Sequence, residues 1–210
     1  MNFICPSVKE TSSMSLIFRA GVLAMASVAL SSTGATAELG SLSGTVVAKG
    51  LRSNAGVVVS LAAADLKPPA PGKPFELDQK SMQFLPHVVA ITTGTEVRFL
   101  NSDPVAHNVF SPDGKYNLGT WPQGQARSHV FDKAGVFTQL CRVHPEMEGY
   151  IVVLDTPYFA VTDAAGAFEI KGVTPGKYKL HAWSEKLKAA DQEVTVEAGK
   201  AATLALTMSH

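Results

Sequence analysis

Apolar and polar positions alternate over short intervals along most of the chain, and helical spacing is rare. The alternation is plainest where Tyr178, Leu180 and Ala182 interleave with Lys177, Lys179 and His181. Successive side chains of a strand point to opposite faces, so this pattern predicts a strand with one buried side. Other short apolar runs, bounded by turn residues, predict strands over 44–48 and 57–62, then 84–91 and 95–100 on either side of Thr93-Gly94. Further strands are expected over 105–110, 128–131, 136–140 and 149–154. The same signals continue at 159–162, 167–170, 177–183, 192–196 and 202–208. A stretch rich in Pro, Gly and Asn between 111 and 127 reads as a loop. The run Lys67-Pro68-Pro69-Ala70-Pro71-Gly72-Lys73-Pro74 cannot hold a central strand, because proline donates no ladder hydrogen bond. The expected fold class is therefore all-β.

The first segment has a different character. Arg19 precedes an apolar run over 20–30, followed by Ser31, Ser32, Thr33, Gly34 and the small-residue triplet Ala35-Thr36-Ala37. This order is that of a secretory signal, expected to span 1–37 with cleavage after Ala37, whether translation starts at Met1 or at Met14. The apolar run falls well short of the roughly 20 residues a spanning helix needs, and no later segment approaches that length. The expectation is an exported, soluble, periplasmic protein with no membrane span after signal cleavage. Lysine plus arginine and aspartate plus glutamate are 18 each, with no basic stripe, which argues against nucleic-acid binding. Of the two cysteines, Cys5 leaves with the signal and Cys141 remains alone. An unpaired thiol in an oxidising compartment dimerises or oxidises unless something occupies it, and a metal ion would do so.

The segment Cys141-Arg142-Val143-His144-Pro145-Glu146-Met147 contains Cys-x2-His-x2-Met, placed where a strand runs into a short loop. A second histidine, His107, lies upstream in Ala106-His107-Asn108. One thiolate, two imidazoles and one thioether form the donor set of an electron-transfer copper site. Thiolate and thioether favour Cu(I), imidazole serves both oxidation states, and a thioether is a poor ligand for zinc. The candidate metal residues are thus His107, Cys141, His144 and Met147, holding one copper ion that cycles between Cu(I) and Cu(II). His87 and His129 read as ordinary polar residues, and His181 and His210 receive no role.

These residues resemble the cupredoxins, amicyanin and plastocyanin in particular. The likeness runs over about 75–155 through Pro86, Gly94, Asn101, His107-Asn108-Val109, Ala134-Gly135-Val136-Phe137 and the Cys141 loop. The short spacing from His144 to Met147, with Pro145 between, is similar to the amicyanin loop. The wider text, including Asp155-Thr156-Pro157-Tyr158-Phe159, is similar to bacterial proteins labelled methylamine utilization proteins. The resemblance implies a Greek-key sandwich with His107, Cys141 and His144 as equatorial ligands and Met147 as the axial one. It also implies that Asn101 ties the two ligand loops together near the thiolate. Gln139 departs from the pattern, standing where an aromatic residue is common, and an inward-facing glutamine needs hydrogen-bond partners.

The C-terminal region resembles the carboxypeptidase regulatory-like, or transthyretin-like, β-sandwich in Thr162-Asp163-Ala164-Ala165-Gly166-Ala167-Phe168 and in Pro175-Gly176-Lys177-Tyr178. Gly44-Thr45-Val46 and Val57-Val58-Val59 look like its first strands. The expected organisation is a copper domain at 67–155, with 38–66 and 156–210 forming the second sandwich. In the alternative, 38–66 supplies the first strand of the copper domain. The implied function is a periplasmic blue copper protein that carries single electrons between redox proteins, a dehydrogenase or a cytochrome as donor and acceptor. The alternative is a copper-delivery protein without redox cycling. The chain lacks His-x-His pairs and Gly-x-Ser-x-Gly, so no enzyme activity is expected.

Overall fold

The computed structural model describes residues 38–210. The expected signal at 1–37 lies outside the described residues. Sixteen strands follow one another, with no helix among the described residues. The first six are β1 Gly40–Ala48, β2 Val58–Ala62, β3 Phe75–Lys80, β4 Gln83–Leu85, β5 Val88–Thr92 and β6 Thr95–Leu100. Then come β7 His107–Ser111, β8 Tyr116–Trp121, β9 Ala126–Phe131, β10 Gly135–Leu140 and β11 Glu148–Leu154. The last five are β12 Phe159–Val161, β13 Ala167–Val173, β14 Gly176–Trp183, β15 Gln192–Val196 and β16 Ala201–Met208.

Four sheets pack as two sandwiches. One sandwich joins the order β4-β3-β6-β9 to the order β5-β11-β10-β7-β8. Its core contains Leu77, Phe84, Val97, Phe99, Val109, Trp121, Phe131 and Ile151, with Cys141 and Met147 among them. The other joins β13-β1-β16 to β12-β2-β14-β15 around Leu42, Val46, Val59, Leu61, Ile170, Leu180 and Leu206. Strand β2 pairs with β12 and β14 and with no strand of the first sandwich. In β14 the alternation works as expected: Tyr178, Leu180 and Ala182 are buried and Lys177, Lys179 and His181 are exposed. A small third cluster, Val58, Val88 and Val152 with Tyr150, Leu154 and Trp183 packed against it, joins the two sandwiches.

Three elements differ from the pattern-based expectation. The apolar run over 84–91 is not one strand but two, β4 and β5, in different sheets. Pro86 has no N–H to continue a ladder, so the chain changes sheet there. Strand β3 escapes the hydrophobic pattern because one of its inward residues is polar: Leu77 and Gln79 are both buried, and Gln79 donates from Nε2 to the Leu100 carbonyl at 2.8 Å. Strand β8 lies in the stretch read as a loop. It carries Asn117, Gly119 and Thr120, but Trp121 at its end is fully buried and anchors it opposite His107.

Candidate metal centre

The site forms where two strands meet at one end of the first sandwich. Strand β7 opens with His107, and β10 leads into Cys141. The two strands are hydrogen-bonded neighbours, paired at Leu140 and Phe110. The turn after Cys141 is closed by the Met147 amide donating to the His144 carbonyl at 3.0 Å. This turn brings His144 back over the strand ends and buries Met147, which is 1% exposed.

The ligand atoms of His107, Cys141 and His144 all lie within 4.8 Å of one another. The Nδ1 atoms of His107 and His144 are 3.0 Å apart. Ligands held about 2 Å from one ion in a trigonal arrangement sit about 3.5 Å apart, so this separation suits a single metal ion. His107 and Cys141 are buried, and His144 is partly exposed, so the His144 edge is the part of the trio that approaches solvent. Met147 belongs to the same buried cluster as Cys141.

Two neighbours complete the arrangement. His107 donates from Nε2 to Asp103 Oδ2 at 2.7 Å, which leaves the Nδ1 lone pair facing Cys141 and His144. A carboxylate on the far nitrogen of a metal-binding histidine fixes both tautomer and ring orientation. Asp103 also accepts the amides of Ser81 and Met82 at 2.6 and 2.9 Å. Burial pushes the Asp103 carboxyl up, but the hydrogen bonds from Met82, His107 and Ser81 outweigh it and hold the group below its ordinary range. The second neighbour is Asn108. Its amide donates to Cys141 Sγ at 3.4 Å, and its Oδ1 accepts the Arg142 amide at 3.4 Å. Its Nδ2 donates to Asn117 Oδ1 and to the Gly119 carbonyl.

The asparagine expected to tie the two ligand loops was Asn101, and here the structure differs. Asn101 donates to the carbonyls of Val105 and Trp121 and accepts the Asp103 amide, so it ties the loop before His107 to the end of β8 and does not reach the Cys141 loop. The residue that reaches the thiolate loop is Asn108, because it sits on β7 directly beside Cys141. Asp103 was not singled out by the sequence. Its position four residues before His107, in a tight loop, is the one signal that could have pointed to it. Gln139 has the partner its burial demands: Tyr116 donates its hydroxyl to Oε1 at 2.5 Å. His129 stacks on Tyr116 with centroids 4.0 Å apart, and burial lowers its pKa. His87 lies between β4 and β5, away from the trio. A cavity of about 500 Å³ against Ala62, Asp65, Lys177 and Glu193 touches none of the site residues, and a site that encloses one ion needs no such space.

Residues 74–154 match the family described as copper binding proteins, plastocyanin/azurin family. Residues 151–204 match polysaccharide lyase family 4, domain II. Among solved structures, a purple cupredoxin from Nitrosopumilus maritimus is 26% identical, with TM-score 0.35, over 38% of this chain and 99% of that one. A reduced amicyanin variant is 21% identical, with TM-score 0.38, over 46% of this chain and 98% of that one. A copper-containing nitrite reductase from Thermus scotoductus is 23% identical, with TM-score 0.37, over 52% of this chain and 28% of that one. No curated protein matches the chain. No helix among the described residues is long and apolar enough to cross a membrane.

Proposed function

We propose that this chain, whose residues 74–154 are of the copper-binding plastocyanin/azurin family, carries single electrons between redox partners of the periplasm. The observation that carries the reading is the convergence of His107 Nδ1, Cys141 Sγ and His144 Nδ1 in a mostly buried pocket. In this reading His107, Cys141 and His144 are the equatorial ligands and Met147 the axial one. Bound copper supplies a one-electron change between Cu(I) and Cu(II). The protein holds the ligand atoms in place so that little rearranges when the charge changes. Asp103 holds the His107 ring, and Asn108 holds the thiolate and the start of the ligand loop. The surrounding core, with Phe84, Val109 and Trp121, excludes water. The partly exposed His144 edge is the contact point for a donor or acceptor such as a dehydrogenase or cytochrome. The domain assignment in this reading is a copper sandwich over 67–155 inserted between 38–66 and 156–210, which form the second sandwich.

The test is to add Cu(II) to the copper-free protein and record its visible spectrum. Thiolate-to-copper charge transfer should give an absorption near roughly 600 nm that bleaches on reduction and returns on oxidation through repeated cycles. Cys141→Ser should abolish it. A colour retained by that variant would sink the ligand assignment. Loss of copper on each reduction would favour delivery over electron transfer.

A further inference from the structure

The second sandwich meets the copper sandwich at one place that leads to the ligand loop. Trp183 ends β14 and Glu185 follows it. Glu185 Oε2 lies 3.0 Å from His87 Nε2, and its other oxygen lies 3.1 Å from Lys186 Nζ. Burial raises the Glu185 carboxyl, while the hydrogen bonds from His87 and Lys186 lower it further than burial lifts it, so it is held ionised. The opposite nitrogen of His87, Nδ1, is 3.1 Å from the Glu148 carbonyl. Both ring nitrogens of His87 therefore face oxygen atoms, one on each side of the ring.

His87 also holds the same stretch of β11 with its own backbone, for its carbonyl accepts the Tyr150 amide at 2.8 Å. The two bonds bracket Gly149. A Cβ there would come within 2.9 Å of Phe84 Cβ and 3.2 Å of the His87 carbonyl, so only glycine allows this approach. Tyr150 packs edge-on to His87 at 5.5 Å and lies 5.5 Å from the Trp183 ring. Its hydroxyl donates to Glu148 Oε1 at 2.7 Å. Glu148 is thus held by its carbonyl and by its carboxylate, and the residue before it is Met147.

We propose that the second sandwich braces the Met147 end of the ligand loop, with His87 as the positioning residue that transmits the hold from Glu185 to Glu148. This rests on the reading of Met147 as the axial ligand. The copper sandwich has a firm hold on His107 through Asp103 and on Cys141 through Asn108. Beside Met147, Glu148 is held by His87 and Tyr150, and these two are in turn held by Glu185 and Trp183 of the second sandwich, next to the seam of Val58, Val88 and Val152. An axial ligand tunes the potential of such a site, so a change in its restraint changes the potential without changing the donor set.

The experiment uses the full chain and three variants: His87→Ala, Glu185→Ala and, as a distant surface control, Lys171→Ala, which removes the Glu169 ion pair. In the copper-free protein, amide exchange at Met147 and Tyr150 should speed up by about three- to tenfold in the first two variants, the counterpart of one lost hydrogen bond, and not in the control. In the copper-loaded protein, the reduction potential and the visible band should shift in the first two variants and not in the control. His87→Gln, which keeps a donor for the carbonyl, should restore part of both. Unchanged exchange in both variants overturns the brace whether or not the protein proves to be blue. Faster exchange with an unmoved potential overturns its connection to the metal. A colourless wild type would refute the proposed function and leave the exchange result to decide the brace.

Discussion

Replacing Asp103 by alanine removes the acceptor of three hydrogen bonds at once. The largest loss is at His107, whose side chain is fully buried, so no water can replace the carboxylate on Nε2. A hydrogen bond to a charged group is worth about 1.5–3 kcal/mol when its partner is left unpaired inside the protein. The Ser81 and Met82 amides lie in an exposed turn and can hydrate. Both residues nevertheless have φ of 55°, a strained region for non-glycine residues, and the carboxylate offsets part of that strain. The expected cost of Asp103→Ala is about 2–4 kcal/mol in the copper-free protein, measured by urea denaturation. Asp103→Asn can keep an oxygen for His107 and Met82 but sets its NH2 against the Ser81 amide, itself a donor, so it should cost less than alanine but more than nothing. Without the carboxylate the His107 proton is free to move to Nδ1, so copper affinity should fall by about 10- to 100-fold in the alanine variant. The sign of the pH dependence follows from the depressed carboxyl. Its stabilisation is complete above its ordinary value of 3.8 and is lost as pH falls through the lower folded value. The gap between wild type and Asp103→Asn should therefore close in acid. A loss below about 0.5 kcal/mol at neutral pH, with copper bound as tightly as in wild type, would refute this account of Asp103.

Other outcomes follow from particular contacts. Tyr116→Phe keeps the ring against His129 but strands Gln139 Oε1 in the core, and should cost about 1–3 kcal/mol by chemical denaturation. Removing copper should lower the melting temperature of the first sandwich more than that of the second, since binding stabilises only what holds the ion; calorimetry with and without copper checks this. Glu146→Gln combined with Glu148→Gln should flatten the ionic-strength dependence of stopped-flow electron transfer with a basic partner, and an unchanged slope would place docking elsewhere. N-terminal sequencing of periplasmic protein should find Glu38 first, whereas a chain starting at Met1 or Met14 would refute cleavage.

The convergence of His107, Cys141 and His144 was legible because chemistry wrote most of the candidate donor set in one place. Cys141, His144 and Met147 share a single turn, and thiolate, imidazole and thioether at that spacing suit few ions. What holds the donors was less legible, because those partners meet only through pairing. Asn108 finds Cys141 by lying on the next strand, 33 residues away. Tyr116 finds Gln139 across a gap of 23 residues, and the sequence could say only that a buried glutamine would need something. Strand β3 hid for the same reason: Gln79 points inward where the pattern expects an apolar residue. Strand β8 hid behind Asn117 and Gly119, residues that favour turns, because one buried tryptophan is too sparse a signal for periodicity. Strong alternation, as in β14, was readable because each buried residue there is apolar.

The parallel pairing of β1 with β16, from Ser41 with Ala201 to Ala48 with Met208, sets an order of events. Every strand of the copper sandwich lies between Phe75 and Leu154 and pairs within that interval. It can assemble as soon as that stretch of chain is free. The outer sandwich cannot, because its first strand waits for its last, and the loop it must close contains the whole copper sandwich. A folded insert brings the ends of that loop together and shortens its effective length, so loop-closure entropy falls once the inner unit has formed. Folding should therefore run from the inside outward, with the inner sandwich acting as the template on which the flanking strands find one another.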